Sequence, residues 1–285
     1  MNKETKLYKG FVYLVLGLAA LSILLPVVWV FLASFKENAE FYGNPWAFPH
    51  GFYWQNFAEA WAEANMGSYL INSVIVTALA MTFLLLISLP CAYILARMDF
   101  PGKRFLQTLM KAGLFINLSY IVIPIFMILL NLNRSLKVTF FLNNRLILAL
   151  IYAATAVPFT VYLLANYFSA ISKSYEEAAY IDGAGYFTTM LRIMIPMAKP
   201  AVITVILFNF LAFWNEYILS LTLLTDKKLK TLPVGLINLQ QASRSAANYG
   251  RLYAGLVLVM LPTLLLYILV QKQLTEGMMV GGDKG

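Results

Sequence analysis

Cysteine, histidine and charge are the scarce ingredients of this 285-residue chain. Its single cysteine, Cys91, excludes an intrachain disulfide, and with a single histidine, His50, no His/Cys metal cluster can be built. Cys91 lies in an apolar run and His50 in a stretch rich in proline and aromatic residues, where ordinary packing accounts for each. Only 12% of the residues are charged, about half the share of a soluble domain, which excludes a water-soluble globule. Lys and Arg outnumber Asp and Glu by 21 to 13, yet they form no basic run or stripe, which argues against a nucleic-acid partner. There is no Gly-x-x-x-x-Gly-Lys-Ser/Thr loop to cradle nucleotide phosphates. Nor is there an internal repeat, so the sign of an inverted-repeat secondary transporter is missing.

What the chain has instead is apolar surface: 61% of its residues are hydrophobic, 15% are aromatic, and its mean hydropathy is +0.73. Six runs are long enough to cross a bilayer as helices, at about 11–33, 70–96, 112–130, 146–168, 201–225 and 252–270. The fold class is therefore an all-α integral membrane protein with six transmembrane helices, in one domain over 1–285. The first run is too long for a signal-peptide core and is read as a retained span. Prolines lie within five of the runs, at Pro26, Pro90, Pro124, Pro158 and Pro262, where each removes a backbone donor and favours a kink.

Six spans put both termini on one side. Lys3, Lys6 and Lys9, then Arg97, Lys103, Arg104 and Lys111, mark that side as cytoplasmic, whereas the first loop carries Glu37, Glu40, Glu59 and Glu63 against Lys36 alone. Arg134, Lys137, Arg145, Lys227, Lys228 and Lys230 fall on the other side, so the early loops decide the orientation.

The loop between the fourth and fifth runs is the most informative segment. Ser174 and Glu177 have capping-box spacing, in which the hydroxyl accepts from the Glu177 N–H and the carboxylate returns the bond, so a helix is expected to begin there. Ala178 and Ala179 continue it, and Gly183 is placed to end it in the left-handed conformation. A second helix is expected to run on to Pro196. A short capped helix with small surface residues, held by two membrane helices, is shaped to be gripped by a partner; a plain solvated connector is the alternative.

The fifth run carries Asn209, Asn215 and Glu216 in otherwise apolar sequence. Asn209, Phe213 and Glu216 fall at i, i+4 and i+7 and share a helix face, combining hydrogen-bonding groups with an aromatic ring. That mixture suits a sugar lining a pathway; ordinary interhelix hydrogen bonding, or a Glu216 that reaches outer water, remains open.

The spacing Glu177-Ala178-Ala179, Gly183, then Ile193-Met194-Ile195-Pro196, with Asp182-Gly183-Ala184, resembles the signature of permease subunits of binding-protein-dependent ABC importers. Along nearly the whole chain, Ser34-Phe35-Lys36, Asn56-Phe57, Asn72-Ser73, Ala92-Tyr93, Ala96-Arg97, Phe100-Pro101-Gly102, Trp214-Asn215-Glu216, Thr231-Leu232-Pro233 and Lys284-Gly285 are similar to landmarks of the carbohydrate-type subfamily, which includes the second permease of maltose-type importers. Two departures stand out: Phe115-Ile116-Asn117 replaces a Pro-bearing opening, and the loop 131–145 is unusually basic and Asn-rich.

The resemblance implies a permease component of a bacterial plasma membrane importer and not an enzyme. It also implies a second permease of a different sequence, two cytoplasmic ATPase subunits, an extracytoplasmic solute-binding protein, lipid surroundings and no cofactor. The segment 174–196, through Ser174, Glu177, Ala178, Ala179, Asp182, Gly183 and Pro196, is expected to dock on the ATPase, with Glu177 either an internal cap or the partner of a basic group there. Asn209, Phe213, Asn215 and Glu216 are the candidate pathway residues for a sugar or oligosaccharide. A glycerol-phosphate-type or other polar solute is the alternative, though no Lys or Arg lies near an expected midplane, and a stand-alone secondary transporter is a further one. The loops 35–68 and 226–250 are either the landing surface for the binding protein or, through Trp46, Trp54 and Trp61, interfacial anchors. The tail 275–285 is expected to be flexible.

Overall fold

A computed structural model describes residues 3–63, 65–246 and 248–279, and the regular elements among them are all helical. They are α1 (Lys3–Ser34), α2 (Asn38–Gly43), α3 (Gln55–Glu63), α4 (Met66–Arg97), α5 (Lys103–Gly113), α6 (Leu118–Leu136) and α7 (Arg145–Ala170). There follow α8 (Ser174–Ile181), α9 (Tyr186–Thr189), α10 (Ile195–Met197), α11 (Lys199–Asn215), α12 (Ile218–Leu223), α13 (Leu232–Ala246) and α14 (Tyr249–Met279). A π-helical turn, Met190–Met194, joins α9 to α10. Residues 280–285, with Lys284 and Gly285, lie outside the described residues, and α14 runs into the stretch expected as a tail.

Among the described residues, five helical stretches are long and apolar enough to span a membrane: Tyr8–Ser34, Met66–Arg97, Leu118–Leu136, Arg145–Ala170 and Tyr249–Leu269. Tyr186–Met197 and Lys199–Asn215 meet at a 73° bend and make a sixth if taken as one broken span. The bend falls at Ala198, between two prolines. Pro196 has no N–H for the Arg192 carbonyl and Pro200 none for the Pro196 carbonyl, so two rungs of the ladder one turn apart are missing.

Two boundaries differ from the apolar runs. The third helix is Leu118–Leu136 and not 112–130, because α5 ends at Gly113 and the helix restarts only where Asn117 Oδ1 accepts from the Ser119 N–H at 2.9 Å. The fifth does not continue to 225: α11 stops at Asn215, Glu216 is extended, and α12 begins anew at Ile218.

The packing divides into two compact units, Met1–Gly67 with Gly235–Leu261, and Ser68–Val234 with Pro262–Gly285. In the first, α1 exposes large apolar side chains from Tyr8 to Val28. Past its end the chain is tied down: Lys36 is fully buried, its ammonium donating to the Asn44 and Pro45 carbonyls at 3.1 and 2.8 Å. Asn56 Nδ2 donates to the Ser34 and Lys36 carbonyls. Gly250 is required beside them, since a Cβ there would stand 2.6 Å from Asn56 Nδ2 and 2.7 Å from the Lys36 carbonyl.

The second unit has two apolar cores. One joins α4, α6, α7 and α12 through Val76, Ala80, Leu84, Val122, Tyr152 and Leu219; the other joins α4, α7 and the bent fifth helix through Ala92, Tyr93, Leu164, Phe168, Met194 and Val205. Small residues among them let the helix axes approach, which is how helices gain contact where lipid removes the hydrophobic drive. α5 packs closely on α7, where a Cβ on Gly113 would fall 2.7 Å from Pro158 Cγ.

Candidate functional site

The segment 174–196 forms a short helix, a glycine turn and a second helix, but the capping box does not close. Lys173 already has helical backbone angles, so the chain enters the helix before Ser174, and the Glu177 N–H donates to the Lys173 carbonyl at 3.0 Å. Ser174 Oγ meets Ser172 Oγ at 2.8 Å instead, and Ser172 Oγ accepts from the Ser174 N–H. Glu177 is exposed and its carboxylate has no partner among the described residues, so its internal-cap reading is corrected.

The other end of α8 forms as its glycine requires. Gly183 has φ +77°, its N–H donates to the Tyr180 carbonyl at 3.0 Å, and the Ala184 N–H donates to the Ala179 carbonyl at 2.9 Å, the paired bonds of a Schellman turn. Ala179 packs inward while Ala178 faces out. Around them Ile181 is 86% exposed and Phe187 72%, with Tyr175 and Leu191 also uncovered, leaving an apolar patch beside a rigid turn.

Behind that patch lies a cluster that the sequence does not announce. Tyr93 and Arg97 share a face at the end of α4. The Tyr93 hydroxyl donates to Glu176 Oε1 at 2.7 Å, Arg97 Nε stands 3.5 Å from Glu176 Oε2, and Arg97 Nη2 donates to the Ile171 carbonyl at 2.6 Å. The Tyr93 ring packs edge-on to Phe168 at 5.6 Å and tilted to Tyr186 at 5.4 Å. A cavity of about 230 Å³ opens beside these groups, with Lys173, Glu177 and Tyr180 also in its wall. Close by, Lys103 bonds the exposed Asp99 carboxylate at 2.9 Å and holds it below the usual carboxylate range, a solvated pair with little hold on the fold. The Ala92-Tyr93 and Ala96-Arg97 pattern is a signal for this cluster, but only the fold supplies its partner.

A larger cavity, about 630 Å³, lies among α6, α7 and α11. The structure brings Asn209, Phe213 and Glu216 together in its wall and adds Tyr152, which is not evident from the sequence. Tyr152 stacks on Phe213 with ring centres 5.5 Å apart, and its hydroxyl donates to Glu216 Oε2 at 2.5 Å. Glu216 also accepts from the Leu219 and Ser220 N–H groups at 2.7 and 3.2 Å, so one carboxylate starts α12 and orients Tyr152. Asn209 Nδ2 donates to Thr160 Oγ1 at 3.1 Å and to the Val205 carbonyl at 2.8 Å. Asn215 is not in the cavity wall; it is exposed and donates back to Leu211 of its own helix. Most of the wall is aliphatic or aromatic, and none of it is cationic.

The end of the bundle away from α8 is densely bonded. Asn72 Nδ2 donates to the Lys228 and Lys230 carbonyls while its Oδ1 accepts from Arg145 at 2.7 Å. Ser73 Oγ accepts from the Leu232 N–H, and Asn143 Oδ1 accepts from the Thr225 and Asp226 N–H groups. Among the described residues no group of three or more His, Cys, Asp or Glu side chains is arranged to hold a metal ion.

The profile of the family described as binding-protein-dependent transport system inner membrane component matches residues 88–275, which include α8, the Arg97 cluster and the large cavity wall. The chain is 36% identical over 259 residues to a diacetylchitobiose uptake system permease protein of Streptomyces coelicolor, covering 91% of this chain and 83% of the relative. It is 30% identical to a multiple sugar-binding transport system permease protein of Streptococcus mutans, with both chains covered in full. Among solved structures, that of a bacterial ABC transporter involved in the import of the acidic polysaccharide alginate superimposes with a TM-score of 0.81 at 24% identity, over 95% of this chain and 98% of that one.

Proposed function

Because the chain belongs to the family of binding-protein-dependent transport system inner membrane components, we propose that it forms half of the pathway of an ABC importer for a sugar or oligosaccharide, with ATP hydrolysed by a separate subunit. The observation that carries the coupling is α8: a helix closed by a Schellman turn at Gly183, presenting Ala178, Tyr175 and Ile181 outward. Glu177, without a side-chain partner among the described residues, is available to a basic group of the ATPase. The α8 segment and both termini lie on the cytoplasmic side of a bacterial plasma membrane. The complete importer contains a second, non-identical permease, two ATPase subunits and an extracytoplasmic binding protein.

Asn209, Phe213 and Glu216, joined by Tyr152, supply the pathway wall; Asn215 leaves the set. A stacked aromatic pair beside a few hydrogen-bonding groups matches the C–H faces and hydroxyls of a sugar. The wall carries a carboxylate and no cation, which favours a neutral solute over a phosphate-bearing one. The sugar-permease descriptions of the two relatives point the same way.

The test is reconstitution in liposomes with the second permease, the ATPase and the binding protein, with calorimetry of the binding protein against mono- and oligosaccharides. Sugar binding and ATP-dependent uptake are expected. A binding protein that takes no sugar would sink the substrate class, and uptake by this chain alone without ATP would restore the secondary-transporter alternative.

A further inference from the structure

We propose that Tyr93, Arg97 and Glu176 form a joint that makes α4 follow α8 when the ATPase moves it, an inference that rests on α8 being the docking helix. The chain connects α8 directly to α7 on one side and to the bent fifth helix on the other, so those two respond to α8 through the backbone. No such direct connection reaches α4, because residues 98–173 intervene. Its tie to α8 is made by side chains, and Glu176 makes it twice, offering Oε1 to the Tyr93 hydroxyl at 2.7 Å and Oε2 to Arg97 Nε at 3.5 Å.

Arg97 then reaches past α8 to the Ile171 carbonyl at the end of α7, and Tyr93 lays its ring against Phe168 and Tyr186. Three elements therefore meet on two α4 side chains one turn apart. The ion pair is nearly dry, with Arg97 6% and Glu176 13% exposed. In such surroundings, pulling the carboxylate away leaves a guanidinium without its counter-charge, so the pair tends to move together.

The reach of the joint comes from helix length. The 32 residues of α4 extend about 48 Å at the usual rise per residue. A tilt imposed at Arg97 is delivered at Asn72, which holds the carbonyls of Lys228 and Lys230. The joint thereby gives the loop 224–232 a share in the motion of α8, from which it is separated by the length of α4.

The experiment uses the reconstituted four-component importer and compares sugar transported per ATP hydrolysed in Glu176→Gln, Tyr93→Phe and the double variant. Each single change is expected to lower that ratio about fivefold while the ATPase still co-purifies, and the double variant is expected to be no worse than Glu176→Gln, as for residues acting as one unit. Should Glu176→Gln fail to insert, the near-isosteric Tyr93→Phe carries the test. Spin labels at Met98 and Ser174, in a Cys91→Ser background, are expected to keep their separation through the ATP cycle in the otherwise native chain and to lose that constancy in Tyr93→Phe. A native transport ratio in both single variants, or a label separation that changes with ATP in the otherwise native chain, overturns the joint. The docking premise fails separately: Ala178→Trp would then leave ATPase co-purification untouched.

Discussion

At the end of the bundle marked by Asn72 the connecting loop is held almost residue by residue, whereas at the end marked by Arg97 the segment 171–185 is tied to α4 by one carboxylate shared between the Tyr93 hydroxyl and Arg97 and by the Arg97 bond to Ile171, and α8 closes on a glycine turn. The Asn72 end relies mostly on neutral amides and hydroxyls bonded to backbone, Asn72 to two carbonyls, Ser73 to the Leu232 N–H and Asn143 to two N–H groups, joined by side-chain bonds from Arg145 to Asn72 and from Thr231 to the buried Ser220 hydroxyl. Its geometry is over-determined, and each bond is costly to leave unmade. The α8 end leaves Ile181 and Phe187 uncovered. A surface held this lightly suits one that a partner must cover and displace. The contrast separates a part that keeps its shape from a part that transmits force.

The largest expected effect breaks the α8 end. Gly183→Pro removes the N–H that bonds Tyr180 and forces φ from +77° to about −65°, so sugar uptake should fall more than about tenfold while membrane insertion is unchanged. Next comes the opposite end: Asn72→Leu strands two carbonyls and Arg145, and should cost about 2–3 kcal/mol, seen as a lower thermal midpoint of the purified chain, with ATPase binding intact. An unchanged midpoint would erase the contrast between the ends. Glu216→Ala should cost about 1–2 kcal/mol through the lost start of α12 and should also raise the KM for uptake as Tyr152 swings free. The smallest effects belong to Ser174→Ala and Asn215→Ala, each within about 0.5 kcal/mol and without consequence for uptake. A large loss for Ser174→Ala would mean that the capping box forms in the assembled importer.

Local signals were legible before the fold was known. The left-handed turn at Gly183 follows from glycine's freedom at positive φ, and the long apolar runs follow from the bilayer's thickness. The capping box was legible and misleading, because Ser174 and Glu177 have the right spacing but Lys173 enters the helix first. The third helix begins after Asn117 and the fifth stops before Glu216, single polar side chains that restart the backbone, a choice that hydropathy does not register. Least legible were pairings across the chain: Tyr93 with Glu176 is separated by 83 residues and Tyr152 with Glu216 by 64, and no periodicity carries such distances. Asn215 shows the converse, a polar group in an apolar run that spends its donor on its own helix.

The contact of Gly113 with Pro158 has a consequence for what the larger cavity can admit. Both residues lie in its wall, and there the boundary is main chain against a proline ring, with no side chain to trim. Phe159 and Phe208, whose rings meet edge-on at 6.2 Å, form another stretch of wall that is all side chain. Changing the calibre of the chamber for a longer or bulkier solute is therefore a matter of shaving the phenylalanine wall, since adding even a methyl group at Gly113 would push α5 away from α7.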